Sequence, residues 1–411
     1  MNFNDIKTEL EKDSFGDFLD EPNPGIYRAV YKDKETNDPV IGFGVDELSG
    51  DRKKVQIGYH LSGTRAGLIE EKARNIRRKR MAYLPMQILL GKAAQILINS
   101  KSEIDDPLLE RISRNPKELR DYLYAMTYDR GVFSGFAVRN YFQNIIYTYM
   151  KKYHRNHPFL QVNSEEELKS KCFEMNFSDY VIITGVDLRI ACVNNTSNLP
   201  VMFSSKETPL FPVVEAVSMS MNIPGAFKPV FNGFIPTSSG NKEELRRKFI
   251  GFFVDGGTIN NLPIHAFNEP IDSPLKENIL AFRLTFGIDP ENNNVWDNED
   301  FGKYKDKIGE NNKIAQLESK IITYLHPLKN ERFPIHKVSF QGNTFIDLLG
   351  NTMGSLMYFA EEGQIRTPKE KDQTIELYSY GIETLEFSPD EHLRKGVIKK
   401  AYDKVKAYFT L

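Results

Sequence analysis

The stretch FFVDGGTINNLPIHAF, residues 252–267, places a carboxylate between an apolar run and two glycines. Asp255 stands where a buried strand is expected to end, and Gly256 and Gly257 allow the chain to turn after it. A carboxylate in this position can act as a general base if a nucleophile lies elsewhere in the chain. The structural alternative is that Asp255 accepts backbone N–H groups and holds the turn closed.

The other polar residues near this motif are predicted to have structural roles. Asn260 and Asn261 are expected to form a turn, and His265 is expected to be a half-buried helix residue. Asp187 is expected to fix a loop at the end of a strand. The sequence contains no His/Cys cluster at metal-ligand spacing and no phosphate-binding glycine loop. We therefore expect no metal and no other cofactor.

The basic run KARNIRRKR, residues 72–80, carries six cationic side chains. One hypothesis is that it contacts an anionic membrane surface while the mostly apolar segment 81–98 lies alongside. The side chains that would make this contact are Arg77, Arg78, Lys79 and Arg80. The alternative, which we favour, is a solvated helix face balanced by neighbouring glutamates. Nucleic-acid binding is disfavoured because aromatic residues are not interleaved with the cations.

Composition narrows the function classes further. The 54 Lys and Arg residues nearly balance the 56 Asp and Glu residues, so a global attraction to nucleic acid is not expected. The two cysteines, Cys172 and Cys192, cannot form a disulfide framework and fit a reducing compartment. The polar N-terminus does not resemble a secretory signal, and polar residues interrupt 81–98. We expect a soluble, cytoplasmic protein, with peripheral membrane association as an alternative.

Hydrophobic patterning predicts three successive segments. They are an N-terminal tail over 1–24, a β-meander of three short strands over 25–62 and an α/β domain over 63–411.

Within the α/β domain, short apolar runs at 180–188, 251–257 and 278–287 are typical of buried strands. Helices are predicted within 209–223 and over 389–409. This order of strands and helices predicts an α/β sheet that is covered on both faces.

Several linked motifs in 180–267 resemble the patatin-like phospholipase family. They are VIITGVDL, with Thr184, Asp187 and Leu188; NIPGAFKP at 222–229, where the family has Ser-Ile-Pro-x-x-Phe-x-Pro; and the Asp-Gly-Gly of residues 255–257. The resemblance covers roughly residues 130–411. It implies a three-layer α/β/α sandwich with a mainly parallel central sheet. It also implies hydrolysis of lipid acyl esters by a Ser–Asp dyad, in which Asp255 would be the base.

The resemblance also implies a Gly-x-Ser-x-Gly elbow that carries the nucleophile. The stretch HLSGTRAGLI, residues 60–69, has the right glycine frame at Gly63 and Gly67. The nucleophile's position is occupied by Arg65, which stays protonated and has no lone pair for attack. The glycine-rich oxyanion loop that the family places ahead of the elbow is missing as well. We interpret 63–67 as a degenerate elbow, with a chance match as the alternative.

Other serines are weak candidates for the nucleophile. Ser134 lies in GVFSG, whose spacing does not fit an elbow, and it is expected to be a loop residue or a helix N-cap. Ser218 and Ser220 fall inside a predicted helix and are expected to pack there. Ser62 precedes Gly63 and is out of register.

Three functional hypotheses follow from the sequence. The first is a degenerate patatin-like protein that binds lipids or acyl esters, or regulates an active paralogue, as a monomer or a homo-oligomer. The second is an active lipid acyl hydrolase that uses an unrecognised serine. The third is an interaction or scaffold protein in which the N-terminal meander is a recognition module.

Overall fold

The computed structural model describes ten stretches of the chain and three further residues. They are 26–32, 39–46, 55–59, 129–237, 240–268, 275–290, 294–310, 312–318, 367–382 and 389–410, with Phe18, Ala125 and Ile365. By their internal packing these residues divide into two units, the first within Gly16–Thr258 and the second within Ile259–Leu411.

The first unit contains nine described strands. They are β1 Ile26–Lys32, β2 Pro39–Asp46, β3 Val55–Tyr59, β4 Gly131–Phe133, β5 Arg189–Asn194, β6 Leu199–Ser204, β7 Gly225–Phe227, β8 Val230–Asn232 and β9 Gly251–Asp255. Seven of the described strands form one sheet in the order β3-β2-β1-β8-β9-β5-β6, and β4 pairs with β7 separately. Asp255 is therefore the last residue of a strand that has neighbours on both sides.

The pairing of these strands is mixed. The antiparallel pairs β1–β2 and β2–β3 form the meander that the sequence predicts for 25–62. Its first strand pairs in parallel with β8, so the meander extends the main sheet. The pairs β8–β9, β9–β5 and β5–β6 are antiparallel. The predicted α/β class is confirmed, whereas a parallel central sheet is only partly shown, at β1–β8 among the described pairings of this sheet.

The described helices belong to both units. They are α1 Phe136–His154, α2 Glu165–Phe173, α3 Phe177–Thr184, α4 Val213–Ser220, α5 Lys242–Phe249, α6 Gly257–Asn260, α7 Glu299–Ile308, α8 Pro368–Asp372 and α9 Glu391–Tyr408. The predicted helices in 209–223 and 389–409 correspond to α4 and α9. In the part of the chain that the structure describes, no helix is both long enough and apolar enough to cross a membrane.

The strand predicted for 180–188 is wrong, because most of this run lies in helix α3. The Asn176 side chain caps the helix by accepting the Asp179 N–H at 2.8 Å, and Gly185 ends it with a φ of 71°. Ile183 is buried while Ile182 is 60% exposed. A short apolar run fits a strand or a helix equally well, and the two caps decide the outcome. The strand itself, β5, follows the run.

The core of the first unit packs helix α4 against one face of the sheet. Phe203 on β6 lies at the centre, with its ring centroid 4.5 Å from that of Phe211 and 5.5 Å from that of Phe253 on β9. Phe203, Phe211 and Phe253 are all fully buried. Rings in such close contact stabilise the core beyond their buried area. This packing fixes strand β9 and hence the position of Asp255.

The second unit contains a parallel pair of strands, β10 Ala281–Thr285 and β11 Thr374–Tyr378. Strand β10 confirms the strand predicted within 278–287. Helices α7 and α9 pack beside this pair around the buried ring of Phe301, whose centroid lies 5.0 Å from that of Tyr380.

Candidate functional site

Asp255 is held from three directions at the end of β9. Its backbone N–H donates to the carbonyl of Asn222 at 3.0 Å, and its Oδ1 accepts the Gly257 N–H at 2.8 Å. Across the antiparallel ladder it is paired with Cys192 on β5. The side chain is half-buried rather than sealed in the core. The structural role predicted for this carboxylate, closing the glycine turn, therefore has a geometric basis.

Gly256 is required by close approach and not by an unusual backbone angle. A Cβ at this position would lie 2.2 Å from the carbonyl oxygen of Ala191 and 2.9 Å from its Cβ. Neither Gly256 nor Gly257 has a positive φ, so the turn does not use the left-handed backbone that glycine permits. Instead, Gly256 lets the turn pass directly over β5.

The surroundings of Asp255 favour its protonated form more than water does. Burial raises the pKa of its carboxyl above the ordinary 3.8, and the hydrogen bond from the Gly257 N–H opposes part of that shift. Burial, with a smaller contribution from the charge of Asp255, raises the pKa of the Cys192 thiol well above its usual value. A carboxylate of increased basicity suits proton abstraction, whereas a buried thiol of this kind is inert.

A buried charge cluster, which consists of Arg28, Glu215, Ser218 and Asn222, lies next to this turn. Arg28 Nη1 donates to Ser218 Oγ at 2.6 Å, and Nη2 donates to Asn222 Oδ1 at 3.3 Å. Arg28 Nη1 also lies 3.5 Å from Glu215 Oε2, and both side chains are fully buried. Because the Asn222 carbonyl accepts the Asp255 N–H, the cluster is hydrogen-bonded directly to the backbone of the candidate base.

The contacts of this cluster were not predicted from the sequence. Glu215 and Ser218 stand three residues apart in the apolar helix α4, so they lie on one face of it. That spacing was the only local signal. Their partner Arg28 comes from β1, and a second cation, Arg139 on α1, also bonds the Glu215 carboxylate. A contact between residues so far apart in the chain has no signature in a single sequence.

The two serines on α4 have their hydroxyl groups engaged in the structure. Ser218 Oγ accepts from Arg28 and donates to the Glu215 carbonyl at 3.0 Å. Ser220 Oγ donates to the carbonyl of Ala191 at 2.8 Å. Neither hydroxyl donates to a carboxylate in this arrangement, as a nucleophile activated by a base would.

Ser134 lies in the short connection between β4 and α1. It is 1% exposed, and its carbonyl accepts Arg28 Nε at 3.3 Å. Helix α1 has Gly135 at its N-cap, with a φ of 73°, so the N-cap role considered for Ser134 is wrong.

Two other predicted residues make local contacts. Asp187 accepts Arg189 Nε and Ser205 Oγ, each at 2.9 Å, and so fixes the loop that leads into β5. In the second unit, the prediction of a half-buried helix residue at His265 is wrong, because His265 lies in a turn and is buried, with Nε2 3.5 Å from a Glu370 carboxylate oxygen. Asn260 is the last residue of α6.

Several predicted site residues lie outside the described residues. They are Ser62, the elbow candidate with Gly63, Arg65 and Gly67, and the basic side chains Arg77, Arg78, Lys79 and Arg80, with the segment 81–98. Among the residues that the structure does describe, no group of three His, Cys, Asp or Glu side chains could hold a metal ion.

The fold and the site together define an α/β protein with a half-buried candidate base at the end of a central strand. The family model described as patatin-like phospholipase matches residues 62–268, just over half of the chain. The chain therefore belongs to the patatin-like phospholipase family and has the fold of a lipid acyl hydrolase. A comparison with curated proteins found no match.

Proposed function

We propose that this chain is a patatin-like protein that binds lipids or acyl esters, or regulates an active paralogue, without hydrolysing esters itself. The observation that carries the proposal is the arginine in Gly63-Thr64-Arg65-Ala66-Gly67. The family match begins at residue 62 and runs past Asp255, so it includes this stretch as well as the candidate base. That span supports the interpretation of 63–67 as the elbow, with Arg65 in the nucleophile's position.

The chemistry of the dyad explains why this substitution would abolish turnover. The base removes the proton of a serine hydroxyl while the serine oxygen forms a bond to the ester carbonyl carbon. A guanidinium has neither an oxygen for attack nor a proton that a carboxylate can remove near neutral pH.

The two serines on α4, Ser218 and Ser220, lend no support to the alternative of an active hydrolase. Ser218 is buried within the charge cluster, and Ser220 donates to a backbone carbonyl. Asp255 in turn has a role that needs no nucleophile, because it accepts the Gly257 N–H and closes the turn. An active enzyme would have to use a serine other than these two.

Ester hydrolysis by the purified full-length chain tests the proposal. We expect no cleavage of p-nitrophenyl butyrate or phosphatidylcholine vesicles above the buffer rate, and no labelling by a fluorophosphonate probe. Turnover by the wild type that Asp255→Asn abolishes and Ser220→Ala retains would refute the proposal and establish the active alternative.

The variant Arg65→Ser tests the register of the elbow. Ester cleavage or fluorophosphonate labelling gained by this variant, and lost again in Arg65→Ser/Asp255→Asn, would establish 63–67 as the elbow. Arg65→Ala is the matched control, since it removes the same guanidinium without supplying a hydroxyl group.

A further inference from the structure

A second candidate site lies at the opposite end of β9 from Asp255. An open pocket of about 470 Å³ is lined by Gly251, the first residue of this strand, and by Phe252. The two ends are four residue steps apart, or roughly 13 Å along a strand. Phe252 and Asp255 also point to opposite faces of the sheet, because side chains alternate along it. The pocket is therefore separate from the surroundings of Asp255.

The pocket has an apolar aromatic wall. Phe231 on β8 and Phe252 on β9 lie opposite each other in the ladder, with ring centroids 5.2 Å apart. Both rings are only half-buried, and Ile250 adds to the same lining. The volume falls in the range of small-molecule sites, roughly 300–1,000 Å³.

One cation faces this wall. The Arg130 guanidinium lies 4.3 Å from the centroid of the Phe252 ring. In the described part of the chain Arg130 makes no ion pair, and the adjacent Asp129 is engaged with Lys228 Nζ at 2.9 Å. The guanidinium donates no hydrogen bond to a described residue, so its N–H donors are available to a ligand.

The backbone at Arg130 is strained. Its φ is 66°, a left-handed value that residues other than glycine, asparagine and aspartate seldom adopt. The following strand holds it there: Gly131 pairs with Gly225, and a Cβ at residue 131 would lie 2.2 Å from the Phe227 carbonyl oxygen. Backbone strain that is maintained by its surroundings is concentrated at ligand sites.

We propose that this pocket binds a single-chain anionic amphiphile, of which a medium-chain carboxylate is the representative. The carboxylate accepts two N–H groups from Arg130, and the alkyl chain lies across Phe231 and Phe252. An unpaired guanidinium next to an apolar wall matches both halves of such a ligand, since bidentate guanidinium–carboxylate pairs are strong and specific.

Isothermal titration calorimetry of the full-length protein with dodecanoate, below its micelle concentration, tests this proposal. We expect saturable binding to one site by the wild type and at least tenfold weaker binding by Arg130→Gly. Glycine accepts the left-handed backbone, so this variant removes the cation and relieves the strain, and its melting temperature should not fall. Arg130→Lys keeps a charge without the planar fork and should bind with intermediate affinity.

Control experiments distinguish the contribution of the ligand's headgroup charge, the contribution of its alkyl chain and non-specific binding. Arg246→Gln removes an exposed arginine on α5 and should bind dodecanoate like the wild type. Dodecyltrimethylammonium and butyrate test the charge and the chain, and both should bind at least tenfold more weakly than dodecanoate. Dodecyl phosphate distinguishes a phosphate from a carboxylate headgroup. Equal affinities of wild type and Arg130→Gly, equal binding of the cationic amphiphile, or the lack of saturable binding would each overturn the proposal.

Discussion

Replacing Glu215 by alanine tests the buried charge cluster beside Asp255. The Glu215 carboxylate lies within ion-pair distance of Arg28, and Arg139 bonds it from the other side. Both Arg28 and Glu215 have side chains with 0% exposure. Truncation would remove the Glu215 charge from beside the buried Arg28 guanidinium, and removing one partner of such a pair typically costs about 3–5 kcal/mol of unfolding free energy. Ser218 and Asn222 still accept from Arg28, so we expect the lower half of this range.

The matched control makes the same chemical change at an exposed ion pair in the same unit. Glu165 pairs with Lys151, and their side chains are 47% and 49% exposed. Solvent screens such a pair, so Glu165→Ala should cost about 0.2–1 kcal/mol. Urea unfolding followed by far-UV circular dichroism gives both free energies from midpoints and slopes. Equal losses of unfolding free energy in the two variants would contradict a stabilising role of the buried cluster.

Three further predictions follow from the site and from the basic run. Gly256→Ala should destabilise the first unit by about 1–3 kcal/mol in the same urea assay, since its Cβ would lie 2.2 Å from the Ala191 carbonyl oxygen; an unchanged midpoint would contradict the close approach. Because the folded pKa of Asp255 is raised above 3.8, its contribution to stability is fully present below that pH and is lost as the pH rises through the folded value. Asp255→Asn should therefore gain stability relative to wild type between pH 3 and pH 7, and parallel stability profiles would contradict this sign. If the basic run contacts anionic membranes, vesicle flotation should decrease with salt and with charge reversal of Arg77, Arg78 and Arg80; flotation insensitive to both would remove that role.

The site was predictable from the sequence where its signal was local. The apolar run before Asp255 and the two glycines after it fall on neighbouring residues, and the structure has a strand end and a tight turn there. The strand predicted for 180–188 was wrong because the length of an apolar run does not distinguish a strand from a helix. The caps Asn176 and Gly185 did carry that information.

Features that depend on distant residues could not be predicted. The ion pair between Arg28 and Glu215 joins β1 to α4, and the stack of Arg130 on Phe252 joins a loop to β9. Nothing in the spacing of these residues indicates contact, because the sheet order that brings them together is itself a product of the fold. The mixed pairing was hidden for the same reason, since strand direction depends on connections that apolar runs do not specify.

The contacts that hold Asp255 at the end of β9 do not involve a nucleophile. Asp255 is held by the Asn222 carbonyl, the Gly257 N–H and its pairing with Cys192, and Asn222 is held in turn by Arg28. Each of these contacts lies within the first unit, and none of them involves residue 65 or a serine hydroxyl. Loss of the elbow serine would therefore remove the chemistry and leave the turn intact. This independence explains how a patatin-like protein could keep a preorganised carboxylate without a nucleophile.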